Sequence, residues 1–423
     1  MKQERPASHS ALAALPLVMA YGIVPLVTAV KVFMPSAHAI SMFMPWVLLA
    51  GLGTIHAMLF RRSGERLKQR FFFEVAMFGV LIFMLIQNHA HLIRQFETLF
   101  PIIIELTPVA VLAFCGAWSL TFGVPDRTDF QRYGGVLGGL CLLDLVIEGL
   151  LFHNAPVVRF IGNVDVLAGL LLLSLCASLK TDARPGDPIT PDQKNRVWRL
   201  LILVGIAATL SRTGLFAAGW IVLCFGRGSK TVRTLIFLAF FSLIGGTFLL
   251  PISASEAVRY VDYWLWAKSI ALFTAQPVVL LTGLPFGDAL PLTFPAGMDG
   301  IWEAATGRLA IMGAYLPQVS AFWLRFTLGW GLIPPVLCLI AILALLYRTM
   351  TRLGAGLLVV LLTQGMVAPL FYAPSLGIAV GFALLLALSN TAPKSNTRIV
   401  SSVESSPDPD RHDPVAEWDL RPL

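Results

Sequence analysis

Residues 209 to 214 read Thr-Leu-Ser-Arg-Thr-Gly, and they interrupt a stretch from 200 to 225 that is otherwise apolar. Arg212 brings a planar guanidinium that can hold two oxygens of one anion at once. Thr209, Ser211 and Thr213 surround it with hydroxyls, and Ser211 is of the type that caps a helix start. The returning helix, expected at 213–226, would point its unpaired N–H groups, with their partial positive charge, at the same spot. Arginine, hydroxyls and a helix N-terminus together suit an anion, and a phosphate best. Taken alone, Arg212 is equally well accounted for as an arginine snorkelling from a helix end to the membrane surface.

A second concentration of chemistry lies between about 252 and 327. It holds Arg259, Lys268, Arg308 and Arg325, and with Trp330 just beyond it five of the ten tryptophans: Trp264, Trp266, Trp302, Trp323 and Trp330. Indole faces suit the C–H faces of sugar rings, although any one of these tryptophans fits an interfacial aromatic belt more simply. The segment reads as amphipathic, made to lie on or dip into a lipid leaflet. Its length alone points to a functional loop.

The elements that must position these residues are membrane helices. The chain is 57% hydrophobic and 13% charged, against roughly 25% charged in soluble domains. Its mean hydropathy is +0.76. With about 20 apolar residues per crossing, the chain is expected to be an all-α polytopic membrane protein. About 12 transmembrane helices are predicted, at 11–31, 38–60, 71–88, 101–123, 134–153, 163–179, 197–210, 213–226, 232–251, 328–347, 353–370 and 375–390, with one long external loop between helices 9 and 10. The transmembrane domain thus covers 1–390. The tail from 391 to 423 is polar and proline-rich, and is expected to be disordered in the cytoplasm.

Basic residues orient this arrangement. Of the 31 lysines and arginines, 23 fall on the side that holds the runs 61–70, 180–199, 226–233 and 348–352 together with both termini, which leaves 8 opposite. The basic side is the cytoplasm. The net charge of +7 follows from these loops and implies no nucleic-acid partner. Residues 209–214 and 252–327 are then both external. Asp144 and Glu148 share one face of the fifth helix, where a charge pair that pins helices is favoured over catalysis. The five cysteines have no paired spacing and read as core. No HExxH, CxxC or carboxylate cluster suggests a metal site or a cofactor, and no internal repeat supports an inverted-repeat transporter.

A serine-arginine turn between two short helices, followed by one long outer loop late in a twelve-helix chain, resembles the O-antigen ligase and Wzy-type O-antigen polymerase family. The likeness covers roughly 197–345. Its residues are Arg259, then Trp266-Ala267-Lys268-Ser269, then Pro277 with Gly283 and Gly287, and finally Phe322-Trp323-Leu324 leading to Gly331-Leu332-Ile333. The family's His-Asn pair falls on Ser320 and Ala321, so the usual histidine is missing. The spacing from Arg259 to Trp266 and from Pro277 to the glycines is also longer than usual.

The resemblance implies metal-independent glycosyl transfer at the outer face of a bacterial inner membrane. The donor would be an undecaprenyl-diphosphate-linked oligosaccharide. The acceptor would be a sugar hydroxyl of another lipid-linked repeat (polymerase) or of a lipid A core (ligase), with membrane lipid and other polysaccharide assembly proteins as partners. Arg212 and Arg259, with Ser211, Arg308 and Arg325, would hold the diphosphate, and Trp266, Trp302 and Trp323 would contact sugar. A base is sought among Glu256, Asp262, Asp288, Asp299, Glu303, His89, His91 and His153. Glu303, between Trp302 and Arg308, is preferred, although a solvated loop acid explains it as well. A lipid-linked oligosaccharide flippase and a non-catalytic envelope assembly protein remain the alternatives.

Overall fold

The computed structural model describes residues 11–34, 43–59, 67–89, 100–152, 158–179, 193–249, 254–295, 297–306, 310–347 and 351–389. Every regular element among them is helical, and one isolated antiparallel bridge joins Ala289 and Tyr315. Three helices are long and apolar enough to cross a membrane: Leu12–Phe33, Arg127–Leu150 and Lys230–Thr247. Eight further apolar helices run 10–17 residues. Large apolar side chains stand open on the outside, Leu120 at 76% and Leu249 at 88% among them. Such a surface suits lipid and not water.

The helices are α1 (Leu12–Phe33), α2 (Met44–Leu59), α3 (Leu67–His89), α4 (Phe100–Glu105), α5 (Thr107–Phe122), α6 (Arg127–Ile147), α7 (Val164–Ala177), α8 (Gln193–Thr209), α9 (Arg212–Phe225) and α10 (Lys230–Thr247). There follow α11 (Ala254–Ala275), α12 (Pro277–Thr282), α13 (Asp299–Thr306), α14 (Phe322–Trp330), α15 (Ile333–Tyr347), α16 (Arg352–Gln364) and α17 (Pro374–Ser389). The departures from the sequence reading fall at prolines and glycines. Pro108 at the start of α5 splits the stretch expected at 101–123, because it has no N–H for the preceding turn. Gly331 divides α14 from α15 inside the span expected at 328–347. The helix expected to reach 370 ends at Gln364.

The bundle is built around α7. Every residue of α7 except Val166 is buried, as suits a helix that is apolar on all sides, and α6, α8, α9, α16 and α17 surround it. Gly138 of α6 and Gly205 of α8 face each other so closely that a Cβ on either would strike the opposite backbone. This is the close approach that small residues permit between membrane helices. At the edge, α10 packs on α9 and leaves most of its surface open.

The segment from 254 to 330 has a core of its own. Val261, Trp264 and Leu265 of α11 pack with Leu290, Met298, Trp302, Leu316, Val319, Leu324 and Leu328. The segment is therefore a folded unit, where the sequence suggested a strip laid on the leaflet. It still presents Tyr260, Tyr263, Ile270, Val278 and Leu281 outward. Gly283 (φ 76°) and Gly331 (φ 76°) clasp it, since a Cβ on either would run into the other's strand of chain. Leu284 N donates to Leu328 O (2.7 Å) and Leu332 N to Leu280 O (2.7 Å) across that clasp. α14 ties unit to bundle: Phe322 belongs to the bundle core while Leu324 and Leu328 belong to the second one.

Candidate functional site

The 209–214 turn is as tight as its sequence suggests. α8 ends at Thr209 and α9 begins at Arg212, leaving two residues to reverse the chain. Leu210 takes φ 49°, the one non-glycine residue with positive φ among the described residues. A leucine held there costs on the order of 1 kcal/mol, and residues held against such strain cluster at functional sites. Ser211 caps α9 by accepting from Gly214 N (3.1 Å). Its hydroxyl donates to Asp165 Oδ1 (2.5 Å). Gln364 fills the gap behind, its side-chain amide within 3.2 Å of both Asp165 O and Gly214 N.

Asp165 reaches this position through a chain of local bonds. Asp144, buried in α6, accepts from Phe160 N (3.0 Å) and Ile161 N (3.1 Å) and so fixes the approach to α7. Asn163 caps α7, accepting from Asp165 N (2.9 Å) and Val166 N (3.3 Å). Asp165 therefore sits in the first turn of α7, where the helix dipole favours its negative charge. Of these two acids, Glu148 has the expected charge partner, exposed Arg159 at 3.8 Å, whereas Asp144 grips backbone instead.

Arg212 turns toward the end of α10. Its Nε donates to Thr247 Oγ1 (2.9 Å) and its Nη2 to Thr247 O (3.4 Å). The guanidinium lies 3.9 Å over the Phe248 ring. Half-buried at the start of α9, it is oriented by the Thr247 hydroxyl and carbonyl and by the Phe248 ring face.

On the other side of Asp165 lies Asp262, buried in α11, whose Oδ1 accepts a short hydrogen bond from Ser320 Oγ. Burial pushes the Asp262 carboxyl up to about 7, the Ser320 bond pulls it down, and the negative charge of nearby Asp165 adds to the rise. Asp165 thus acts on both groups, on the Asp262 carboxyl by its charge and on the arginine turn by its hydrogen bond from Ser211. The sequence offered Asp262 among several acids. Its partner Ser320 is the residue at which the expected histidine is missing.

A third polar cluster is self-contained. Arg325 donates to Glu105 Oε1 from Nε (2.9 Å) and Nη2 (2.7 Å), and from Nη1 to Pro317 O (3.3 Å). Tyr372 OH donates to Glu105 Oε2 (2.7 Å), and the guanidinium lies 3.8 Å over the Tyr372 ring. Arg325 is 5% and Glu105 3% exposed. Burial and the Glu105 charge push the Tyr372 hydroxyl far up, so it stays protonated and donates.

The remaining expectations scatter. Ser211 gives its one proton to Asp165 and Arg325 is committed to Glu105, so neither is placed to meet a diphosphate as the sequence suggested. Trp302 is fully buried between Trp264 and Phe294 and serves as core, with no face for a sugar. Trp323 donates from Nε1 to Leu361 O (3.0 Å) and Trp266 from Nε1 to Met366 O (2.9 Å), which pins both to the end of α16. Of the two, half-buried Trp266 lies one turn beyond Asp262 on α11. Glu303 lines an open depression of about 480 Å³ with Phe294, Asp299, Ala310 and Ile311. No hydrogen bond among the described residues joins it to Asp165, Asp262 or Ser320. Arg259 lies three residues before Asp262 in α11, but its side chain falls outside the described residues, as does all of Arg308. His91, His153 and the tail 391–423 fall outside them too.

Asp165, Gln364, Glu105 and Tyr372 are the site residues that the sequence reading did not single out. A signal existed for two of them: Asp165 and Glu105 are acids inside expected spans, and such acids call for a partner or a function. Gln364 and Tyr372 gave none. Among the described residues, no group of three His, Cys, Asp or Glu is placed to hold a metal ion.

Fold and site together define an all-helical protein of membrane type, with a polar cluster where several helix ends meet a folded connecting unit. No family model, curated protein or solved structure matches the chain.

Proposed function

We propose that the protein is a membrane glycosyltransferase acting on a glycan carried by undecaprenyl diphosphate, as a polymerase that joins polysaccharide repeat units at the outer face of a bacterial inner membrane. The observations that carry this reading are the strained Arg212 turn, held to Asp165 by Ser211, and the buried Asp262–Ser320 pair, whose carboxyl feels the Asp165 charge. The turn supplies an anion-binding group and the pair a group that accepts from hydroxyls, which is what a sugar diphosphate and a sugar acceptor require.

As the anomeric C–O bond breaks, charge grows on the departing diphosphate. A guanidinium held ready in a water-poor site stabilises that charge without reorganising. Arg212 is the first residue assigned to it, with Arg259 second and Arg308 third. Ser211 shapes the turn and Trp266 offers an indole to the acceptor sugar. Arg325, neutralised by Glu105, is left out of the donor site.

Deletion of the gene tests this. Surface glycan collapsed to single repeats is the expected result. Full-length chains stranded on the lipid carrier would assign the protein as a ligase to lipid A core instead. Unchanged glycan would refute both.

A further inference from the structure

Asp262 is the buried acid of the connecting unit whose surroundings hold no described counter-cation. Its Oδ1 is occupied by the Ser320 hydroxyl, and no hydrogen bond to Oδ2 is formed among the described residues. The charged group that acts on it is Asp165 of α7. Of the elements packed on α11, α12 carries no titratable residue, Glu303 and Asp299 of α13 line their own depression, and Arg325 of α14 is turned to Glu105. Trp264, two residues beyond Asp262 and so on another face of α11, packs against Phe294 and Trp302 toward α13.

We infer that Asp262, oriented by Ser320, is the residue that takes the proton from the incoming sugar hydroxyl; this rests on the glycosyl-transfer reading above. The acceptor oxygen forms the new bond to the anomeric carbon. Its proton passes to Asp262 Oδ2, and the electron pair of the breaking C–O bond leaves on the diphosphate oxygen. Asp262 then releases the proton to water or to the departing diphosphate, which restores the carboxylate. An ordinary aspartate is too weak a base for this step at neutral pH. Burial and the repulsion of Asp165 strengthen it, while Ser320 keeps enough of it ionised to act. The assignment replaces Glu303.

The test uses the full-length chain. Deletion strains are complemented with Asp262→Asn, Asp262→Glu, Ser320→Ala or wild type at equal membrane level, and surface polymer is quantified. The purified proteins are also titrated by infrared spectroscopy on the protonated-carboxyl stretch. Asp262→Asn is expected to lose transfer by about 100-fold or more, and Asp262→Glu to recover part of it. The carboxyl band that titrates near pH 7 should be absent in Asp262→Asn and moved to higher pH in Ser320→Ala. If deletion abolishes polymer and Asp262→Asn restores it in full, the inference falls and the glycosyl-transfer reading stands. If deletion itself leaves surface glycan unchanged, that reading falls and takes the inference with it. Should Asp262→Asn fail to reach the membrane, full activity and an unmoved band in Ser320→Ala overturn the role given to the pair.

Discussion

Two acids of this protein are buried to similar depth and placed in opposite electrostatic circumstances. Glu105, at the break between α4 and α5, has an arginine on one oxygen and a tyrosine on the other. Asp262 in α11 has a serine, and its charged neighbour among the described residues is another acid. The first arrangement returns with hydrogen bonds what the acid lost in leaving water, and it locks three segments distant in sequence: the start of α5, α14 and the chain after α16. The second leaves the acid poorly compensated, so its charge state responds to pH and to whatever enters the site. A completed ion pair fixes a fold, whereas an incomplete one stores chemistry at the expense of stability.

The comparison breaks first at Arg325. Arg325→Met should strand Glu105 as a buried charge and destabilise the protein by about 3–5 kcal/mol, seen as lost membrane protein and a lowered Tm in detergent. Adding Glu105→Gln should recover most of that loss, because neither charge then remains. A double variant no better than the single one would show that the pair's role is not electrostatic.

Arg212 is next. Arg212→Lys keeps the charge and loses the planar fork, so transfer should fall with a barrier rise of about 2–4 kcal/mol, roughly 30- to 1000-fold, while the protein stays folded. Normal surface glycan from this variant would return Arg212 to a snorkelling role and leave the proposed donor site without its first residue.

Asp262 should show the reverse of Glu105 in stability. Its folded pKa of about 7 lies above the ordinary 3.8, so the folded chain holds the proton more tightly through that window. Stability from this group is fully present below about pH 4 and is lost as pH rises toward 7. Asp262→Asn should therefore unfold later than wild type at pH 8, by roughly 2–4 kcal/mol, and the gap should close toward pH 4. A variant less stable than wild type at pH 8 would remove the contrast with Glu105.

The smallest effect is expected at Arg159, an exposed residue 3.8 Å from Glu148. Arg159→Lys should change glycan transfer and Tm by amounts near the error of measurement. A large loss there would mean that arginine chemistry extends beyond the residues assigned to the donor diphosphate.

Much of the helical order was legible because apolar runs and their breakers act locally. The 209–214 turn was placed correctly to within a residue: Ser211 caps, Gly214 accepts the close approach, and α9 starts at Arg212. Residues 365–370 were not legible. They continue an apolar helix pattern in sequence, yet Gly365 O and Ala368 O accept from Trp323 N (3.0 Å) and Phe322 N (3.1 Å). Bonds to the start of α14 thus replace the helix that periodicity foretold. The second core was hidden for a related reason. Its tryptophans read equally as lipid belt or sugar platform, and what settles Trp302 as core is contact with Trp264 and Phe294, brought there by the Gly283–Gly331 clasp.

The sequence by itself determined the helical class, the apolar character and the tight arginine turn, since each depends on hydration and backbone preference over a few neighbouring residues. Only the tertiary structure decided which charges are neutralised. Arg212 and Arg325 are the same residue type in similarly apolar surroundings, and each could bind an anion. One meets Thr247 and Phe248, the other a carboxylate 220 positions away. A side chain's charge belongs to its sequence, but the partners that charge meets depend on its neighbours in space.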